Sequence, residues 1–132
     1  MRKKKKQFKV IILVEIKPHP DRFEETVART LAQEFQSDIL FIKRETVKTP
    51  DVMVCRTKQF WEIKNIKGNS SKTIEDNLRR AAKQADNIVI SLLRSQMTPE
   101  QAASHIRHYL SHARGNIKRV ILITKKGKII DF

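Results

Sequence analysis

The 132-residue chain has few cysteines, glycines, prolines and aromatic residues. Its single cysteine, Cys55, excludes a disulfide within the chain, so folding needs no oxidising compartment. The four histidines are not paired with cysteines, which argues against a zinc site of the finger type. Three glycines and four prolines form no low-complexity linker, so we expect one domain over residues 1–132.

Acidic residues are scarce as well. The chain has 14 Asp and Glu against 28 Lys and Arg, a net charge of +14. This surplus favours a polyanionic partner: nucleic acid first, then an anionic membrane surface or an acidic protein. The aromatic fraction of 6% argues against single-strand stacking as the whole function.

Long apolar runs are also absent. The longest early run, Val10–Val14, is too short to span a membrane, so no membrane span is expected. The lysine-rich segment before it predicts a basic, flexible N-terminal tail over residues 1–8.

Hydrophobic periodicity predicts an α/β (α+β) domain, in which a mixed central sheet is flanked by three helices and ends in a C-terminal β-hairpin. Strands are predicted at residues 9–16, 38–43, 50–55, 59–64, 87–92, 118–124 and 128–132. Helices are predicted over Arg22–Gln36, over a segment whose apolar face runs from Ile74 to Ala85, and from Pro99 onward. Cys55 is expected to be a small buried apolar residue of its strand.

The strands between Pro50 and Lys64 carry the most informative polar residues. Side chains alternate along a strand, so Glu62 and Lys64 should share one face while Trp61 and Ile63 share the other. Asp51 opens the neighbouring strand. The two carboxylates could then hold a divalent cation, Mg²⁺ or Mn²⁺. The lysine beside them could meet an anionic substrate and help to keep both carboxylates ionised. The alternative is an ordinary surface ion pair.

These residues resemble a known pattern. Pro50-Asp51 followed by Glu62-Ile63-Lys64 resembles the signature of the PD-(D/E)XK nuclease superfamily, and the predicted element order from Arg22 to Leu92 resembles its common core. A closer resemblance is to the C-terminal tRNA-nuclease domain of contact-dependent growth inhibition (CdiA-type) toxins, of which related cassettes occur in bacterial mobile elements. It rests on three segments: Trp61–Lys64, Ser70–Ile74 and Ala81–Ile90.

The resemblance covers about Pro50 to the end of the chain. It implies a metal-dependent RNase that favours tRNA over DNA and acts in the cytoplasm, with secretion or delivery by another cell left open. It also implies an immunity protein as partner.

The resemblance further implies roles for individual residues. Asp51, Glu62 and Lys64 would be catalytic, with Asp51 and Glu62 as metal ligands. Gln84 would be a polar helper on the following helix, for which a solvated amide is an equal alternative. An acidic residue of the first helix, Glu25 or Glu34, could join the site. Backbone phosphates would be bound by basic residues that otherwise form a solvated helix face: Lys72, Arg79, Arg80 and Lys83.

Two other functions remain open from the sequence. One is a metal-independent RNase of the barnase, EndoU, colicin or RelE type, in which acid–base work falls to Glu62, Lys64, Ser71 or Thr73 and a histidine of the third helix (His105, His108 or His112). The other is a non-catalytic basic nucleic-acid-binding protein, which needs only the charge.

Overall fold

A computed structural model describes residues 7–13, 15–16, 18–46, 48–112 and 116–132. Within them the order of elements is β1 (Val10–Ile11), α1 (Arg22–Phe35), β2 (Ile39–Phe41), β3 (Val52–Val54), β4 (Gln59–Asn65), α2 (Ser71–Ala81), β5 (Asn87–Ser91), α3 (Pro99–His112), β6 (Arg119–Ile123) and β7 (Ile129–Asp131). This order confirms the predicted α/β class, the three helices and the C-terminal hairpin.

The described strands form one seven-stranded sheet in which they lie side by side in chain order. β1 and β2 pair in parallel, as do β4 with β5 and β5 with β6. The pairs β2–β3, β3–β4 and β6–β7 are antiparallel. The sheet is therefore mixed, as predicted, and the parallel pairs are connected through the helices.

Helix α1 covers one face of the sheet. It begins at a capping box, in which Asp21 accepts from the Glu24 N–H and the Glu24 side chain accepts from the Asp21 N–H. Its apolar stripe packs against the side of β4 that carries Trp61 and Ile63. The buried residues of that stripe are Val27, Ala28, Leu31 and Ala32.

Helices α2 and α3 cover the opposite face. Ser70 caps α2, and Thr98 and Gln101 cap the start of α3 reciprocally. Their buried residues form a second core with the inner residues of β5 and β6, namely Ile88, Ile90, Val120 and Leu122. The two cores lie on the two sides of a single sheet.

The two largest differences from the predicted elements are at β1 and α2. The first strand was predicted over residues 9–16, but β1 ends at Ile11, and the Ile16 N–H closes a turn onto the Leu13 carbonyl at 3.1 Å. Helix α2 ends at Ala81 rather than continuing to Ala85, because the Gln84 and Ala85 N–H groups both bond the Ala81 carbonyl in a tight turn. Gln84 therefore lies just beyond the helix, not on it.

Cys55 is also placed differently from the prediction. It lies in the turn between β3 and β4 and is partly exposed, not buried in a strand. The turn closes through the Lys58 N–H, which donates to the Val54 carbonyl at 2.7 Å, while Lys58 adopts a left-handed conformation with φ of 61°. The strand therefore ends one residue earlier than its apolar pattern indicates.

The predicted basic tail lies largely outside the described residues. Of its last two residues, Phe8 is half-buried and packs against the core beneath α1. In the described part of the chain, no helix is both long and apolar enough to cross a membrane.

Replacing Leu78 by alanine tests how far α2 depends on its buried stripe. Leu78 is fully buried, so the substitution should lower the free energy of unfolding by about 2–5 kcal/mol. Lys72→Ala, on the exposed side of the same helix, should change it by less than about 0.5 kcal/mol. Urea denaturation followed by circular dichroism measures both. Equal losses would show that α2 is not held by this core.

Candidate active site

Glu62 is a carboxylic acid buried in the middle of a sheet. It lies on β4 on the face away from α1, and the residue is 1% exposed. The Lys64 Nζ, two residues along the same face, is 3.3 Å from Glu62 Oε2. The predicted alternation along β4 is thus confirmed. Within the described residues, the buried Oε1 has no hydrogen-bond partner.

Asp51 lies beside Glu62, one residue before the neighbouring strand β3 begins. Val52 pairs with Trp61, so continuing the antiparallel register by one residue sets Asp51 opposite Glu62. Asp51 Oδ2 accepts a hydrogen bond from the Ile63 N–H at 2.8 Å, and Oδ1 is 3.9 Å from the Arg44 guanidinium. The hydrogen bond to β4 fixes the carboxylate against the strand that carries Glu62.

Burial raises the pKa of Glu62 from its usual 4.5 to about 8. The Asp51 carboxylate adds to the increase, and Lys64 opposes both effects without cancelling them. This differs from the sequence-based expectation that Lys64 would keep both carboxylates ionised. Desolvation and the Asp51 carboxylate together therefore favour the protonated form of Glu62 more than the ion pair with Lys64 favours the ionised form.

Gln84 extends from the turn that follows α2 to the ammonium group of Lys64. Its Oε1 accepts a hydrogen bond from Lys64 Nζ at 3.3 Å. Lys64 thus lies between the Glu62 carboxyl group and the Gln84 amide. The structure brings together all four predicted catalytic residues: Asp51, Glu62, Lys64 and Gln84. Gln84 differs from the prediction in that it follows α2 and is not on the helix.

The acidic residue of α1 that approaches the site is Glu24, not Glu25 or Glu34. Glu25 faces Arg29 at 4.0 Å, and Glu34 is exposed. Glu24 lines a cavity of about 270 Å³ together with Asp51. Burial raises the pKa of Glu24, and the Asp51 carboxylate raises it further.

The sequence contained a signal for Glu24. It is three residues before Val27 and seven before Leu31, so it belongs to the buried side of α1. The capping-box pattern accounts for Glu24 as a helix cap, so its position beside Asp51 was not predicted from the sequence. One side chain serves both roles because the N-terminus of α1 lies next to Asp51.

The donor set fits a hard divalent cation with few protein ligands. Among the described residues, no group of three or more His, Cys, Asp or Glu side chains is placed to hold a metal. Two adjacent carboxylates remain, and one has a buried oxygen without a partner. Mg²⁺ is commonly bound by one or two carboxylates together with water and substrate phosphate. Asp51 and Glu62 match that mode.

The predicted phosphate-binding residues are exposed on or just after α2. They differ in how free their charges are, since Arg79 contacts Glu75 at 2.9 Å and Asp76 at 3.0 Å. In the described part of the chain, the other three make no ion pair: Lys72, Arg80 and Lys83.

The histidines of α3 lie elsewhere. They line a cleft of about 390 Å³ together with Ser71, and the rings of His108 and His112 are 4.3 Å apart. Neither Glu62 nor Lys64 lines this cleft. Thr73 instead contacts Ser70 at the cap of α2. The residues that a metal-independent RNase would use therefore lie apart: Glu62 and Lys64 are in the candidate site, whereas the histidines and Ser71 are in the separate cleft.

Comparison with known proteins assigns the chain to a family. The model for the contact-dependent growth inhibition CdiA C-terminal domain matches residues 48–129, more than half of the chain. The chain belongs to this family. The matched segment contains Asp51, Glu62, Lys64 and Gln84. No curated protein matches the chain in sequence.

A solved structure shares the fold of this CdiA C-terminal domain. It is the CdiA-CT/CdiI toxin and immunity complex from Burkholderia pseudomallei, with 21% sequence identity and a TM-score of 0.64. The similarity covers 94% of this chain and 98% of that one. At this level of identity, the likeness is one of fold.

The raised pKa of Glu62 predicts how stability depends on pH in the absence of metal. Between pH 4.5 and 8 the unfolded chain ionises Glu62 while the folded chain keeps the proton, so unfolding becomes easier as pH rises. This group should remove about 1.4 kcal/mol of stability per pH unit across that window. Glu62→Gln should remove that dependence.

Denaturant titrations of both proteins at pH 5, 6.5 and 8, with chelator present, measure this effect. Glu34→Gln, at an exposed carboxylate of α1, is the matched control and should behave like the wild type. A wild-type curve parallel to that of Glu62→Gln would show that Glu62 titrates normally.

Proposed function

We propose that this chain is a metal-dependent nuclease domain of the toxin type, with a PD-(D/E)XK site that hydrolyses phosphodiester bonds of RNA, tRNA being the favoured substrate. The observation that carries the proposal is the pair of adjacent carboxylates, Asp51 and Glu62, with Lys64 and Gln84 in contact beside them. Membership of a family of toxin domains and the net charge of +14 support it.

Asp51 and Glu62 would hold the Mg²⁺ or Mn²⁺ ion. When bound, such an ion polarises a phosphoryl oxygen and lowers the pKa of a bound water. Glu62 must lose its proton to become a ligand, so ion binding is coupled to proton release. Asp51 is held ready by the backbone N–H of Ile63.

Lys64 would meet the negative charge that develops on the phosphate. Its ammonium group is held on one side by Glu62 and on the other by Gln84, so its position is fixed before substrate arrives. A preorganised cation in a site largely closed to water stabilises a transition state more than a mobile surface lysine does. Gln84 acts by positioning Lys64.

The basic surface would bind the nucleic-acid backbone. Lys72, Arg80 and Lys83 carry exposed charges without an ion-pair partner in the described residues, and they belong to the segment that also supplies Gln84. Contacts to phosphate give affinity without sequence preference. Selection of tRNA would then rest on shape and on contacts near the cut.

An immunity protein is the proposed protein partner. The solved structure with this fold is a complex of a toxin with its immunity protein, and this chain covers nearly all of the matched chain. A basic toxin domain favours an acidic inhibitor on electrostatic grounds. The site of action would be the cytoplasm of a target cell, where tRNA is found.

Cleavage assays test the site directly. Wild-type protein should cut total tRNA with Mg²⁺ or Mn²⁺ and should stop in chelator. Glu62→Gln and Asp51→Asn should each lower the rate by at least about 100-fold, because removal of one preorganised charge in a catalytic site costs on that order. Glu34→Gln should cut at the wild-type rate.

Three other outcomes of these assays would favour a different function or a different substrate. Cutting that persists in chelator would contradict it and indicate the metal-independent RNase. Equal binding without cutting by wild type and Glu62→Gln would indicate a binding module. Cleavage of plasmid DNA in place of tRNA would support the assigned catalytic site and contradict tRNA as the substrate.

Salt dependence separates the basic residues of α2. Each lost phosphate contact should reduce the slope of log K against log salt by about 0.7–0.9. Arg80→Ala should therefore show the full decrease, whereas Arg79→Ala should show less, since Glu75 and Asp76 already neutralise that guanidinium. Binding of fluorescent tRNA to the Glu62→Gln protein over a range of salt concentrations measures the slope. Equal slopes for both variants would refute this assignment.

A further inference from the structure

Part of the sheet face that carries Glu62 is not covered by α2 or α3. Leu40 pairs with Met53 and Met53 pairs with Phe60, so these three side chains form one row across β2, β3 and β4. Leu40 and Met53 are half-buried, and Phe60 is 48% exposed. The row lies on the face opposite α1. On each strand, a residue that flanks the row along the chain points to the other face and belongs to the core beneath α1.

Phe60 is directly next to the candidate active site. It precedes Glu62 by two residues on the same face of β4, a separation of about 7 Å along the strand. The next row across the sheet contains Asp51 and Glu62 themselves. An exposed aromatic ring therefore lies beside the two carboxylates, at a distance that a single nucleotide can bridge.

The ring borders a concave surface and not a flat one. A cavity of about 460 Å³ is lined by seven residues: Ile42, Pro50, Phe60, Gln84, Ala85, Asp86 and Asn87. Gln84 belongs both to this cavity and to the contact with Lys64. The Asn87 side chain is held by the Phe60 carbonyl at 3.1 Å, which fixes the backbone that carries the ring. Gln84 thus connects the lining of this cavity with Lys64 of the candidate site.

We propose that Phe60 stacks an unpaired nucleobase of the substrate next to the phosphate that is cut. The inference rests on the proposed nuclease function and narrows its substrate to nucleic acid that is single-stranded, or opened, at the cleavage point. A base pair within an intact duplex has no free face to offer to a protein ring.

A nucleobase fits this surface better than an apolar protein segment does. The pocket combines one aromatic face with the amides of Gln84 and Asn87, and a base has both a flat face and polar edges. The one carboxylate of the lining, Asp86, is paired with Lys118 at 3.4 Å, so its charge is partly offset. The net charge of +14 favours a polyanion over most proteins.

The test measures binding of a fluorescent single-stranded RNA to the Glu62→Gln protein, which serves as parent. Phe60→Ala in that parent should weaken binding by at least about 5-fold, since stacking on an aromatic ring contributes about 1–3 kcal/mol per base. Phe60→Trp should retain the affinity, and Phe60→Leu should not. Leu13→Ala is the matched control, since Leu13 is 43% exposed and lies next to β1, about 14 Å from β4 across the sheet.

A second measurement distinguishes stacking from an indirect effect. Once the cut is mapped with wild-type protein, an RNA that lacks the base beside it should bind the parent more weakly but should not distinguish the parent from Phe60→Ala. Such non-additivity places ring and base in contact. Additive losses, or a Phe60→Ala protein that binds as Leu13→Ala does, would overturn the inference while leaving the nuclease site intact. A parent that binds no RNA would overturn both proposals.

Discussion

The candidate active site depends on the burial of Glu62 in the sheet, beside a second carboxyl group, that of Asp51. A buried acid normally costs free energy unless its charge is paired, and here the pairing is incomplete. Lys64 reaches one oxygen, the other has no partner among the described residues, and the pKa rises to about 8. Groups whose pKa values are shifted this far by burial and by a like charge are concentrated at functional sites.

The register of the β3–β4 hairpin creates this juxtaposition. It sets Asp51 opposite Glu62 and sends Trp61 and Ile63 into the core beneath α1. A slip of one residue would turn Glu62 into that core and expose Trp61. The apolar side chains on the one face of β4 therefore hold the polar side chains on the other face in place. Helix α2 then supplies the turn from which Gln84 reaches Lys64.

Much of this site was predictable because it is local in sequence. The alternation from Trp61 to Lys64 sets the faces of β4, and the capping patterns at Asp21 and Thr98 set two helix starts. The end of α2 was not predictable, since an apolar Ala85 continues the helical pattern although the chain has already turned. The protonation of Glu62 was missed for a different reason, because burial depends on how α2 packs and not on neighbours along the chain. Glu24 was hidden by its second role as part of a cap.

In the proposed site, Glu62 would exchange its proton for a divalent cation. Calorimetric titration of Mn²⁺ into the metal-free protein at pH 7, in two buffers of different ionisation enthalpy, measures ion binding and proton release together. We expect about one proton to leave per ion bound and Glu62→Gln to lose the binding. Binding of equal strength in Glu62→Gln, or binding without proton release, would contradict it.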